Sequence, residues 1–182
     1  MAPFAVLRKR HRGWQTLAAC FLLACLPARA DVTRTDVQVA ARALSFVSNP
    51  LAGRIDVGIV YSAASPRSVT QAKDLRSMLD HGLRIGALDL QPVLVELNDV
   101  PDADVDLFFL TEHIAPDETP PLVGIAGTPI ICVTTDIEQV RNGVCTIGVR
   151  SRPRVEVFVS RAAAMASDVT FATAFRVMIT EL

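Results

Sequence analysis

Asp56-Val57-Gly58-Ile59-Val60-Tyr61-Ser62, followed by Ala63-Ala64-Ser65-Pro66, is the stretch that decides how this chain folds. Ile55, Val57, Ile59 and Val60 bring β-branched side chains together over 55–61, which is the composition of a strand. Ser65 has the short polar side chain that caps a helix. Pro66 suits the first helical turn, because its missing N–H would have no partner there anyway. The helix is predicted to run to about His81, to bury Val69, Ala72, Leu75 and Leu79, and to end at Gly82. A strand passing through a short serine-rich loop into a helix is half of a βαβ unit, and such units build parallel sheets.

Working outward, residues 36–48 place Val37, Ala40, Ala41, Leu44 and Val47 at helical spacing, with Thr35 or Asp36 as cap and Asn49-Pro50 as stop. Further strands are predicted at 93–97, 105–110 and 130–134. The strand at 105–110, apolar on both faces from Leu107 to Leu110, is expected to be a central one covered on both sides. Pro116, Pro120 and Pro121 make a proline-rich connection, with a short helix up to Gly124, and 136–140 reads as a helical turn before Asn142-Gly143. Strands at 144–149 and 155–159 form a hairpin across 150–154, followed by an alanine-rich helix at 161–166 and a helical tail at 173–178. The expected architecture is a single three-layer α/β domain. Its sheet is mostly parallel, flanked by helices, with an antiparallel C-terminal hairpin at one edge.

Before this domain stands a basic head (Arg8, Lys9, Arg10, Arg12), an apolar run over 17–26 and then Pro27-Ala28-Arg29-Ala30. These are the parts of a secretory signal, with cleavage expected between Ala30 and Asp31 and a periplasmic destination. The apolar run is shorter than the roughly 20 residues that span a bilayer, and no span is expected after processing. The A-x-A site suits ordinary processing better than the lipoprotein-like settings of Cys20 and Cys25. The leader takes five of the 18 basic residues and none of the 19 acidic ones, leaving a net charge of −6. That balance opposes binding to nucleic acid or to anionic headgroups. Only Cys132 and Cys145 remain after processing. In an oxidising compartment they form either a disulfide or a reduced pair in which Cys132 is a small buried hydrophobe, and sequence leaves both open.

Catalytic signatures are missing from the sequence. There is no H-E-x-x-H, C-x-x-C, G-x-S-x-G or G-x-x-x-x-G-K pattern, so no enzyme, cofactor or metal site is expected. His81 reads as a surface residue closing a helix, and His113 has Glu112 beside it in sequence but pointing elsewhere. Asp99, Asp102, Asp104 and Asp106 lack the glycine turn of a calcium loop and read as a solvated acidic loop. Two features are candidate binding surfaces. The first is the loop 62–68, where Ser62, Ser65, Arg67 and Ser68 could hold a small ligand at the carboxyl end of a strand. The second is the hairpin tip with Arg150, Arg152 and Arg154, a basic spot on an acidic body that either docks an acidic partner or protects an edge strand.

The segment from Asn142 to Leu182 resembles the YfiR/HmsC family of periplasmic proteins. It contains Asn142-Gly143-Val144-Cys145-Thr146-Ile147-Gly148-Val149, a turn, Arg154-Val155-Glu156-Val157-Phe158-Val159-Ser160, then the alanine-rich helix and closing tail. The opening helix with Phe46 and Asn49-Pro50, and the strand Asp104-Val105-Asp106-Leu107-Phe108-Phe109-Leu110, fit the same pattern. Asn49 stands where the family has tryptophan, and Asp168 where glycine is common. Cys145 occupies a family disulfide position, but Cys132 does not reproduce the family spacing, so no pairing is carried over. The resemblance implies a non-enzymatic periplasmic regulator. It would bind the periplasmic sensor region of an inner-membrane signalling protein, a diguanylate cyclase, and restrain cyclic-di-GMP output and biofilm formation; homodimerisation is left open. The alternative is a single-lobe solute-binding module, because 56–62 and the helix start after it also look like the opening of a periplasmic binding-protein lobe.

Overall fold

The computed structural model describes residues 31–80, 82–115, 118, 122 and 130–182. The expected leader, His81, and Pro116, Pro120 and Pro121 with most of the short helix expected up to Gly124 lie outside the described residues. The elements in chain order are α1 (Arg34–Leu44), β1 (Gly53–Tyr61), α2 (Pro66–Leu79), β2 (Leu83–Ile85), β3 (Leu88–Glu96) and a 3-10 helix (Leu97–Asp102). After these come β4 (Leu107–Leu110), β5 (Ile131–Thr134), α3 (Ile137–Arg141), β6 (Ile147–Arg150), β7 (Glu156–Val159), α4 (Arg161–Ala166), α5 (Thr173–Arg176) and β8 (Thr180–Glu181).

The strands form one sheet in the order β2-β3-β1-β4-β5-β6-β7-β8. From β3 to β6 every pairing is parallel, while β2 against β3 and β7 against β6 are antiparallel. The expected α/β class and C-terminal hairpin are both present, with the two-residue β8 added outside the hairpin in parallel. Alternation along the central strands feeds two cores. Ile55, Val57 and Ile59 of β1, Leu107 and Phe109 of β4, and Val133 of β5 meet α1 and α2 on one face. Val60, Phe108, Leu110 and Cys132 meet Leu97, Val100 and Leu122 on the other. Gly58 is required by this arrangement: a Cβ there would lie 2.9 Å from the ring of Phe108, its register partner on β4. Gly148 does the same for α3, since a Cβ would come within 2.6 Å of Val140.

Several boundaries differ from the sequence expectation, each for a local reason. The cap of α1 is Thr33, not Thr35 or Asp36. Asp36 is its third residue, and its carboxylate accepts from the Thr33 N–H at 2.8 Å, completing a capping box. The helix stops at Leu44, ahead of Asn49-Pro50, and the Ser45 hydroxyl bonds back to the Arg42 carbonyl at 2.7 Å. In α2 the buried stripe is Ser68, Ala72, Leu75 and Leu79, with Ser68 fully buried and Val69 only half-buried. Strand β3 begins at Leu88, well before Val93, despite Pro92. Pro92 lies past Leu90, the last residue that β2 pairs, so its missing N–H costs no bond on that side. The hairpin strand predicted from Val144 begins at Ile147, because the Val144 and Cys145 N–H groups both bond to the Gln139 carbonyl.

Asp36 also ties the start of the chain to its end, for its second oxygen accepts the Ser151 N–H of the β6–β7 turn at 2.9 Å. Burial alone would raise this carboxyl, but the bonds from Thr33 and Ser151 outweigh it and hold it below the usual aspartate range. A depressed folded value gives stability that is complete above the unfolded pKa of about 3.9 and is lost as pH falls through the folded value. Asp36→Asn should therefore cost about 1–2 kcal/mol near neutral pH. The gap to wild type should narrow below about pH 4 in urea titrations run at a series of pH values. Gly148→Val should lower stability by about 1–3 kcal/mol through overpacking against α3, read in the same urea titration.

Candidate functional site

Ligands in open α/β sheets gather at the carboxyl ends of the strands, where successive crossovers diverge to opposite faces. Here that point lies between β1 and β4, whose partners β3 and β5 lie on opposite sides. The β1–α2 loop opens onto it. The Ser62 N–H bonds to the Ser68 hydroxyl at 3.0 Å, and Ser68 Oγ lies 2.7 Å from Thr111 Oγ1, which donates to the Val60 carbonyl at 2.9 Å. Each hydroxyl has one proton, so the direction is set: Ser62 N–H to Ser68, Ser68 to Thr111, Thr111 to Val60. Ser65 accepts the Ser68 N–H at 3.3 Å as the helix cap. The Ser62 hydroxyl points to Glu118 at 3.5 Å, and the Ala63 N–H to the Glu96 carboxylate at 3.4 Å. Hydrogen bonding from the Asn98 backbone N–H holds the Glu96 carboxyl below its usual range.

The structure therefore brings Ser62, Ser65 and Ser68 together, but it engages them with one another and with Thr111. Arg67 stands exposed on the first turn of α2. Sequence reading missed the partners that complete the crevice. The Glu112 N–H bonds to Gln71 at 2.6 Å, and the Glu112 carboxylate accepts the Thr135 hydroxyl at 2.6 Å. Buried Gln139 donates to the Thr111 carbonyl at 3.0 Å and accepts from Thr134 at 2.6 Å. A polar residue just past an apolar strand was the available signal for Thr111, Glu112 and Thr135. His113, next along, has a left-handed backbone with φ 63°.

The other sequence candidates fall elsewhere. Cys132 and Cys145 are joined in a disulfide with Cα atoms 4.7 Å apart, both fully buried in the second core. At the hairpin tip Glu156 answers two of the three arginines, Arg154 at 2.8 Å and Arg150 at 3.3 Å, and Arg150 also lies 5.5 Å over the Phe158 ring. A hydrogen bond from Arg154, with the charges of both arginines, holds the Glu156 carboxyl below its usual range. Arg152 has no ion-pair partner among the described residues. Of the acidic loop, Asp106 accepts the Asp56 N–H at 2.7 Å. Among the described residues no group of three or more His, Cys, Asp or Glu side chains converges to hold a metal ion. Nor, among them, is any helix long and apolar enough to cross a membrane.

This geometry defines a doubly wound α/β domain with a polar crevice at its switch point. No protein-family model matches the chain, and no curated protein matches it. Among solved structures it is similar to the ABC domain in complex with L-Trp from Streptococcus pneumonia, with a TM-score of 0.54 and 11% identity. That match covers 80% of this chain and 60% of that one. It is also similar to a conserved domain protein from Vibrio cholerae, with a TM-score of 0.50 and 11% identity, covering 81% and 59%. The chain thus spans about three fifths of the length of each, and at this identity the likeness is one of fold. Ser68→Ala should strand the Ser62 N–H and remove the donor to Thr111. A loss of about 1–3 kcal/mol is expected, with faster hydrogen exchange at Ser62 as the local readout.

Proposed function

We propose that this chain is an exported, non-catalytic regulator of the kind the YfiR/HmsC resemblance implies. It acts in the periplasm by binding the sensor region of an inner-membrane diguanylate cyclase and restraining it. The observation that carries this reading is the apolar surface of the segment with the resemblance: Met165, Val177 and Met178 are 77%, 83% and 62% exposed. Large apolar side chains left in water at that level suit a protein interface. Two details support the family reading. Asp168, standing where glycine is common, has φ 51°, a left-handed state that glycine adopts freely. Phe46 of the opening segment stacks on Phe175 of the tail at 4.7 Å, so the segments that carry the resemblance pack together. Mechanistically, the bound regulator would favour an inactive sensor geometry, and its release would remove that bias.

The test is affinity capture of the processed chain from detergent-solubilised envelopes, followed by cyclic-di-GMP measurement. Capture of a diguanylate cyclase with a periplasmic domain is expected. It should be lost in the Met165→Glu/Val177→Glu variant, and deletion of the regulator should raise the nucleotide. Failure to capture any such cyclase, with unchanged cyclic-di-GMP on deletion, would refute the reading. A second reading, the single-lobe solute-binding module, draws on the switch-point crevice and on the fold shared with the L-Trp complex. Glu96, Glu112 and Glu118 give that crevice acceptors, so its solute would present donors, as an amino-acid ammonium does. A rise of several degrees in melting temperature with one member of an amino-acid panel would favour it.

A further inference from the structure

A cleft of about 650 Å³ lies between α1, the link at 50–52 and the β2–β3 turn. It adjoins the first residues of β1 and β3, at the opposite end of the sheet from the switch-point crevice. Its walls combine apolar surface from Leu51, Ile85 and Ala87 with Gln38 and two arginines, Arg42 and Arg84, and no acidic side chain lines it. Arg42 has no ion pair or side-chain hydrogen bond among the described residues. The Arg84 side chain is 82% exposed and reaches Asp89 only at 3.5 Å, outside the cleft. Two guanidinium groups without a carboxylate in the lining are unusual on a domain whose charge is −6. Gly86, with φ 60°, makes the tight turn that sets Ile85 and Ala87 on the rim, and the Ala87 carbonyl is fixed by the Gly53 N–H at 2.8 Å.

We propose that this cleft binds a small organic anion with an apolar body, a medium-chain carboxylate by chemical class. The carboxylate would accept N–H groups from Arg42 and Arg84, whose planar donors match its two oxygens. The alkyl body would lie on Leu51, Ile85 and Ala87, displacing water from apolar surface. The volume falls within the range of small-molecule sites. Neither Met165 nor Val177 lines the cleft, and the proposal stands whether or not the partner surface is used.

Decanoate, below its micelle concentration, is the probe, with decyltrimethylammonium as the control of equal tail and opposite charge. Calorimetric titration of the processed chain should show saturable decanoate binding and a raised melting temperature, with no saturable binding of the cation. Arg42→Gln should weaken decanoate by about tenfold or more through loss of a charge-assisted contact. Ala87→Trp should block binding by filling the cleft with both arginines intact. Both substitutions lie at exposed positions, and unchanged melting temperatures without ligand would verify their folding. The proposal is overturned if decanoate does not bind, if the cation binds equally well, or if both variants bind decanoate as wild type does.

Discussion

Double-sided burial of β1, β4 and β5 is the constraint on which the rest of the structure depends. Successive side chains on these strands point to opposite faces, and from Val57 to Val60 on β1, and along all of β4 and β5, both sets are excluded from water. Two covering layers are therefore obligatory. Helices α1 and α2 supply one, while the 3-10 helix and Leu122 supply the other, with α3 packed against Gly148 of β6. Crossovers that must serve opposite faces diverge between β1 and β4, and divergence opens a crevice at the strand ends. Backbone groups exposed there need partners, because a buried amide without one costs free energy comparable to a lost hydrogen bond. The run from Ser62 through Ser68 and Thr111 to Val60 supplies them. The crevice that topology creates is thus closed in part by the fold's own hydroxyls.

The C-terminal third is held by contacts with the opening helix, a long way back in sequence. Asp36 takes the Ser151 N–H, the Ser48 N–H bonds to the Thr170 carbonyl at 2.8 Å, and the Ala172 N–H bonds to the Phe46 carbonyl at 2.9 Å. Phe46 stacks on Phe175, and Phe171 leans on the same ring at 5.6 Å. These contacts, with the Cys132–Cys145 link in the second core, fix the hairpin and tail at both ends. A disulfide closing so short a loop contributes on the order of 3 kcal/mol by restricting the unfolded chain. The inner face of the tail is spent on packing. What it leaves outward is Met165, Val177 and Met178, and that division leaves apolar surface in water on the segment.

The parts of the fold legible in sequence are those set by local chemistry. Ser65-Pro66 marks the start of α2, the central strand expected at 105–110 is present but begins only at Leu107, and the alanine-rich α4 spans the residues expected. What was not legible depends on distant partners. Pro92 argues against a strand until one knows that β2 ends before reaching it. Thr35 and Asp36 look like caps until the Asp36 carboxylate is seen reaching back to Thr33 and across to Ser151. The serines of the β1–α2 loop were readable as a cluster of hydroxyls. Their commitment to Thr111 was not, since residue 111 lies a whole crossover away. The Arg42 and Arg84 cleft had no sequence signal at all: α1 and the β2–β3 turn are brought together only by the sheet order.

The two ends of the sheet consequently differ in charge, and the difference follows from which groups the fold consumes. At the carboxyl end Glu96, Glu112 and Glu118 surround the loop whose N–H groups would otherwise receive an anion, and Glu96 already accepts one of those N–H groups from Ala63. An incoming anion would have to displace the Glu96 carboxylate that the end of β3 brings to the loop, and it would meet like charge while doing so. At the amino end the acidic residue nearest Arg84 lies outside the cleft, and Arg42 is left unanswered among the described residues. Coulombic repulsion and hydrogen-bond competition therefore act against an anion at the usual position for this architecture, and both are relieved at the other end. In this chain the switch-point hydroxyls serve the integrity of the fold first, while exposed apolar side chains stand on the tail and arginines without a carboxylate in the lining stand at the starts of the strands.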